Sequence, residues 1–289
     1  MARRITNINP ERFEKSQIKI YAYIIPIAII MGLPIIFIFN HAFKPLNELF
    51  AYPPTFFVKH PTTENFSGIA ETTAASDVHI SRYVFNSIFV SVVVIALSIW
   101  ISTLGAFALS KMKFRGKEAL LNINNLALMF VPVTVSIPRY LVIQFIGIQD
   151  TYLAHILPIL AMPVGIFLVK QFIDQLPDAL IEAALIDGAS YTTVYRKIVL
   201  PLIRPSVATL AILSFQTVWN NIESSAMYVD SENMRTLAFY MNTLSNNANL
   251  VAGQGLAAAS SLIMFVPNIV LFIVMQSRVM NTMAQSGIK

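Results

Sequence analysis

Residues Tyr83–Leu109 read YVFNSIFVSVVVIALSIWISTLGAFAL, 27 positions without one charged side chain. A helix needs roughly 20 mainly apolar residues to cross a hydrocarbon core about 30 Å thick, and inside lipid it satisfies its own backbone hydrogen bonds. This stretch is long enough to cross. Working outward, five further stretches have the same character: Ile20–Phe39 before it, then Ala119–Ile143, Tyr152–Phe172, Pro205–Val229 and Gly255–Met275. The third is more polar, and Pro132 and Pro138 predict that it is broken. The fold class that follows is an all-α integral membrane protein with six transmembrane helices.

Composition agrees. The 289-residue chain is 56% hydrophobic and 12% charged, whereas charged residues supply about a quarter of an ordinary soluble domain. Without cysteine, neither a disulfide framework nor a Cys-based zinc or redox site is available. His41, His60, His79 and His155 are scattered, and none has the short helical spacing that sets two imidazoles on one metal. The net charge of +5 does not point to nucleic acid, because the basic residues are interleaved with long apolar runs and form no solvated stripe.

Basic residues in short loops stay on the cytoplasmic side, so their distribution orients the spans. Arg3, Arg4, Arg12, Lys15 and Lys19 precede the first span, and Lys111, Lys113, Arg115 and Lys117 join the second to the third. Lys170, Arg196, Lys197 and Arg204 flank the fourth-to-fifth connection, and Arg278 and Lys289 lie in the tail. That places fifteen of the 20 basic residues on one side, against Lys44, Lys59, Arg82 and Arg235 on the other, with Arg139 in or near the outer end of the third span. Residues 1–19 and the tail 277–289 are therefore expected in the cytoplasm, around a 20–276 membrane domain. The first span is too long, and too interrupted by Pro26 and Pro34, for a signal-peptide core, and reads as a retained anchor. The external segments, about 41–82 and 230–252, are polar loops long enough to fold over the outer mouth, or else flexible connectors.

The cytoplasmic connection, about 174–204, reads as two short helices meeting at a turn. Asp178 after Pro177 is placed to cap the first, Asp187-Gly188 suits its end, and Ser190 suits the start of the second. Ala183 and Ala184 keep one face slim, which suits docking into another protein's groove. The order Glu182-Ala183-Ala184, three residues, Gly188, nine residues, then Ile198-x-Leu200-Pro201 resembles the EAA loop of ABC importer permeases. The resemblance implies the type I, MetI-like permease fold. It also implies that this loop, with Asp187 among its residues, is a coupling helix docking on a separate ATPase subunit. None of the ten glycines forms a G-x-x-x-x-G-K-[ST] phosphate loop, so this chain is expected to hold no cofactor, with ATP and Mg²⁺ bound in the partner.

Tyr83 to Ser87, Trp219-Asn220-Asn221, Pro267, Phe272, Gln276 and the ending Met283 to Lys289 look like carbohydrate importers of the maltose type, the MalG-like permeases. The likeness covers about residues 20 to 289, although Thr282 and Ser286 replace glycines usual in that tail. It implies a bacterial plasma-membrane assembly with a second, heterodimeric permease, two ATPase subunits and an extracytoplasmic solute-binding protein. This chain would line half of an alternating-access path for an oligosaccharide. Importers of other nutrients, for instance polyamines, phosphonates or peptides, share the same loop and are the alternative, whereas a secondary transporter would need the acid relays or inverted repeats that this sequence does not display.

Polar and aromatic residues at membrane depth are the path candidates: Arg139, Gln216, Trp219, Asn220, Asn221 and Glu223. Arg139 stands where related segments usually read Ile-Pro-Leu-Tyr. A charge inside a span faces a wet cavity or a partner, so Arg139 serves as counter-ion for an acidic sugar such as a uronate, pairs with Glu223, or snorkels outward. Asn122, Asn124 and Asn125 read as hydrogen-bond glue between helices.

Overall fold

The computed structural model describes residues 17–74, 78–247 and 253–286, and all regular elements among them are helical. Arg3, Arg4, Arg12, Lys15, Asn249 and Lys289 lie outside the described residues. Three helices are long and apolar enough to cross as single pieces: Gln17–Ala42, Ile80–Lys111 and Gly253–Gln276, the last continuing in helical form to Ser286. Three bent helix pairs have the length and apolar character for the other spans, if each pair counts as one: Lys117–Met129 with Pro132–Ile146 at 109°, Tyr152–Leu160 with Pro163–Asp174 at 43°, and Tyr191–Leu202 with Arg204–Met227 at 79°.

Proline places two of the bends. Val131, before Pro132, is extended at φ −77° and ψ 129°, as expected where the proline ring crowds the preceding residue out of the helical region. Pro138, by contrast, falls in the first turn of Ser136–Ile146, where a missing N–H breaks nothing, so only one of the two expected breaks forms. The fourth span is not the continuous helix that its hydropathy suggests. Met162, before Pro163, leaves the helix at ψ 79°, for the same steric reason. The fifth is also shorter than its apolar run, since its main helix Arg204–Trp219 stops at Asn220, and a short helix, Glu223–Met227, follows.

The second span lies against the fourth and fifth and against helix Leu237–Asn247. Its buried face carries Asn86, Ser87, Ser91, Ser98, Ser102 and Thr103, small polar side chains that allow close helix approach in lipid. Gly165 on the fourth span marks the tightest point: a Cβ there would sit 2.7 Å from Leu210 Cδ1 and 3.0 Å from Ser102 Oγ. The first span packs on the sixth and leaves Ile24, Ile27, Ile30 and Met31 exposed, the surface that lipid or another apolar surface would cover.

Two apolar cores hold the ends. At the end carrying the loop 178–202, Phe107, Val169, Ile173, Ile181, Val194, Tyr195, Val199 and Leu210 pack together. At the far end, Ile69, Tyr83, Trp219, Leu237, Met241 and Ala259 form the other. Residues 41–74 fold onto that end in defined form. Lys44 is buried and donates to the Thr55 carbonyl, while the Asn65 amide donates to the Ala42 and Lys44 carbonyls, both at 2.9 Å. The Glu48 carboxylate accepts the backbone N–H groups of Lys59 and His60, which hold its pKa below the ordinary value. Part of 230–252 is a helix as well, Leu237–Asn247, stacked through Tyr240 on Tyr83 at 4.6 Å.

Candidate functional site

The loop-end site is built on helix Asp178–Ile186. Its inner stripe buries Ile181 and half-buries Ala184 and Leu185 against the core, while Glu182, Ala183, Ile186 and Asp187 face outward, Ile186 with 85% of its surface exposed. The helix closes as the residues dictate. Gly188 adopts φ +83°, Ala189 N–H reaches the Ala184 carbonyl at 2.9 Å, and Gly188 N–H reaches that of Leu185 at 3.0 Å, the two bonds of a Schellman cap. Ser190 Oγ then accepts from Thr193 N–H and starts the next short helix, Tyr191–Val194. Ile198 and Leu200 are half-buried against the same core and Pro201 is exposed.

Asp178 does not cap its helix. It is the first helical residue, Pro177 precedes it, and its carboxylate pairs with Lys111 Nζ at 2.6 Å. That hydrogen bond, with the positive charge behind it, holds the Asp178 pKa below the usual value. Lys111 also donates to the Leu176 carbonyl at 2.7 Å. A buried link completes the attachment: Thr103 Oγ1 donates to Ile99 O at 2.6 Å, so the Tyr195 hydroxyl is the donor in its 2.8 Å contact with Thr103. The loop is thereby pinned to the second span at Thr103 and at Lys111.

At the far end, Arg139 and Glu223 meet. Arg139 Nη1 lies 3.2 Å from both carboxylate oxygens, the Tyr228 hydroxyl donates to Glu223 Oε1 at 2.8 Å, and the two charged side chains are 30% and 31% exposed. Of the three arrangements open to Arg139, the structure forms the pair. The other path candidates fall elsewhere. Trp219 is only 7% exposed, stacked on Phe215 with its indole N–H on the Met264 carbonyl at 3.2 Å. Asn221 Oδ1 accepts from Ser224 N–H and fixes the start of the short helix after it. Gln216 is exposed, its carbonyl taken by the Asn220 amide at 2.9 Å. Asn124 crosses to the Pro163 carbonyl at 3.4 Å, a link between the third and fourth spans.

Asn220 alone of these lines a cavity of about 360 Å³, where the break in the fifth span, helix Leu237–Asn247 and the sixth span meet. The polar groups around it are Asn220, Asn242, Ser245, Ser260, Ser261 and Asn268. Five of these six went unread in the sequence, where single Asn and Ser residues in helices carry no spacing signal. Buried His155 ties the 224–234 segment to the fourth span: Nε2 donates to the Met234 carbonyl at 3.1 Å, so Nδ1 accepts from the Ser224 hydroxyl at 2.8 Å. Asn86 of the second span donates to the Asn233 and Arg235 carbonyls, both at 2.9 Å.

Three long apolar helices, three bent helix pairs and an exposed helix on one connecting loop give the architecture of a multi-pass membrane protein. The chain belongs to the family of binding-protein-dependent transport system inner membrane components, which matches residues 24–277. It is 30% identical over 276 residues to a probable ABC transporter permease protein, YurM, of Bacillus subtilis, covering 93% of this chain and 86% of that protein. It is 24% identical over 275 residues to the diacetylchitobiose uptake system permease protein DasC of Streptomyces coelicolor, covering 94% and 97%. In fold it matches a chain of a bacterial ABC transporter involved in the import of the acidic polysaccharide alginate, with a TM-score of 0.79 over 93% of this chain and 99% of that one, at 20% identity.

Proposed function

We propose that this chain is one of two permeases in an ATP-driven importer of oligosaccharides, and that helix Asp178–Ile186 is where a separate ATPase subunit docks. The observation carrying this reading is the helix itself. Its inner stripe is fixed to the spans, while its outer face offers Glu182, Ala183 and the exposed Ile186 to an external groove. The carbohydrate class draws support from relatives such as the diacetylchitobiose permease. On this reading the chain hydrolyses nothing, and ATP with Mg²⁺ is bound by a pair of ATPase subunits. A solute-binding protein delivers sugar at the far end, and both termini lie in the cytoplasm of a bacterial cell. Residues 41–82 and 230–252 then face outward, and 174–204 inward. An acidic sugar is not favoured, because the guanidinium that would hold its carboxylate is engaged by Glu223.

Copurification tests the docking. Glu182→Lys and Gly188→Val should leave the chain in the membrane while the ATPase subunit is lost from the purified complex or its turnover is uncoupled from uptake. Variants that keep the ATPase and full ATP-driven uptake would remove this role from the loop.

A further inference from the structure

We infer that the cavity between the second, fifth and sixth spans at the loop end is a binding site for an anionic phospholipid, whose phosphate sits on Arg196 and Arg204. The inference needs only the membrane placement that the family gives this chain and is independent of the sugar reading. The cavity has a volume of about 530 Å³, and Ile99, Arg196, Arg204, Val207, Ala211 and Met275 are in its wall.

Its polarity changes along its length. Arg204 is the first residue of helix Arg204–Trp219, and Val207, Ala208 and Ala211 follow it in the wall at spacings of three, four and seven residues. Residues so spaced share one face of a helix. That face begins at a guanidinium and is apolar down to Ala211, about 10 Å further along the axis at 1.5 Å per residue. Ala208 and Ala211 keep it slim. From the sixth span, Met275 enters the wall one residue before the apolar stretch Gly253–Gln276 ends. The cavity therefore lies where both spans pass from an apolar to a polar level.

The two guanidiniums have no counter-ion. Both are exposed, and among the described residues neither forms an ion pair or a hydrogen bond. The chain supplies none locally: residues 80–117, 188–222 and 233–289, which contribute every residue of the wall, contain no Asp or Glu. Two unpaired cations beside a slim apolar channel fit a ligand with negative charge at one end and hydrocarbon at the other. Arginine holds phosphate oxygens bidentately, and basic pockets between spans take anionic headgroups. A free phosphate would leave the apolar wall unused, and a zwitterionic lipid would bring its own cation against the arginines.

The test uses the transporter purified as its intact assembly, in phosphatidylcholine nanodiscs. The probes are phosphatidylglycerol and phosphatidylcholine, each with a photoreactive group in one chain. Phosphatidylglycerol should label the wall around Ala211 and Met275 about tenfold more than phosphatidylcholine does. Unlabelled phosphatidylglycerol should compete, and inorganic phosphate should not. Arg196→Gln and Arg204→Gln should each lower labelling about tenfold, the scale of one lost charge-assisted hydrogen bond. Ala211→Leu should lower it as far, by filling the channel with both charges in place. Lys197→Gln removes an exposed cation outside the wall and should change nothing; with the arginine variants it keeps the test decisive if Ala211→Leu does not assemble. Equal labelling by the two probes would make this an ordinary lipid-facing surface, and an equal loss on Lys197→Gln would make it the general attraction of a basic rim. Competition by inorganic phosphate would reassign it to a free anion, and labelling by neither probe would show that another subunit covers it. Each of these four results overturns the site.

Discussion

Replacing Arg139 by Gln tests what its charge does. The guanidinium and the Glu223 carboxylate are 30% and 31% exposed, between the exposed pairs that contribute about 0.2–1 kcal/mol and the buried ones whose disruption costs about 3–5 kcal/mol. Removing one partner should therefore cost about 2 kcal/mol. Glu223 keeps a donor from Tyr228 at 2.8 Å, which limits the loss. At roughly 2–4 °C per kcal/mol for chains of 150–250 residues, Arg139→Gln should lower the Tm of the purified complex by about 4–8 °C. Glu223→Gln should do similar damage, by stranding the guanidinium. The double variant should then recover about half of the combined loss, because neither charge remains unpaired. Thermal unfolding of the four proteins, with uptake of a neutral sugar measured beside it, reads this directly. If Arg139→Gln keeps its Tm and loses only the uptake of an acidic sugar, the pair is incidental and the arginine serves ligand.

Gly165→Val should lower stability by about 1–3 kcal/mol, seen as a lower Tm of the complex, because a Cβ at that position meets Leu210 and Ser102 inside ordinary contact distance; an unchanged Tm would show that the spans can separate there freely. Single cysteines in this cysteine-free chain report orientation. A thiol at position 188 should react only from the cytoplasm, and one at 52, where Tyr52 is 96% exposed, only from outside; the opposite pattern would invert the topology.

Hydropathy marked the three long single helices and the three bent pairs because burial in lipid needs little more than apolar length, and the loop helices were legible because their caps are local. Gly188 and Ser190 act within a few residues of themselves. What the sequence hid depends on distant partners. Asp178 has the look of a cap, but Lys111, brought close by folding, takes its carboxylate. Trp219 has the look of a sugar platform, but the sixth span supplies a carbonyl that draws its indole inward. Asn220, Asn242, Ser261 and Asn268 come to line one cavity only when helix Leu237–Asn247 folds against the sixth span. The stop at Ala161 and Met162 needed only the steric rule for residues before proline, which an apolar average cannot register.

The second span has a mechanical consequence. It is one unbroken helix of 32 residues, about 48 Å from end to end at 1.5 Å per residue. Near one end Thr103 and Lys111 grip the loop that carries Glu182, and near the other Asn86 grips the backbone of Asn233 and Arg235 while Ser87 accepts from Leu237 N–H. Such a rod behaves as a lever with a load on each arm. A tilt of about 10° about one end carries the other through about 8 Å, given that length, so a push at the loop is carried along one continuous helix to the segment that leads into helix Leu237–Asn247.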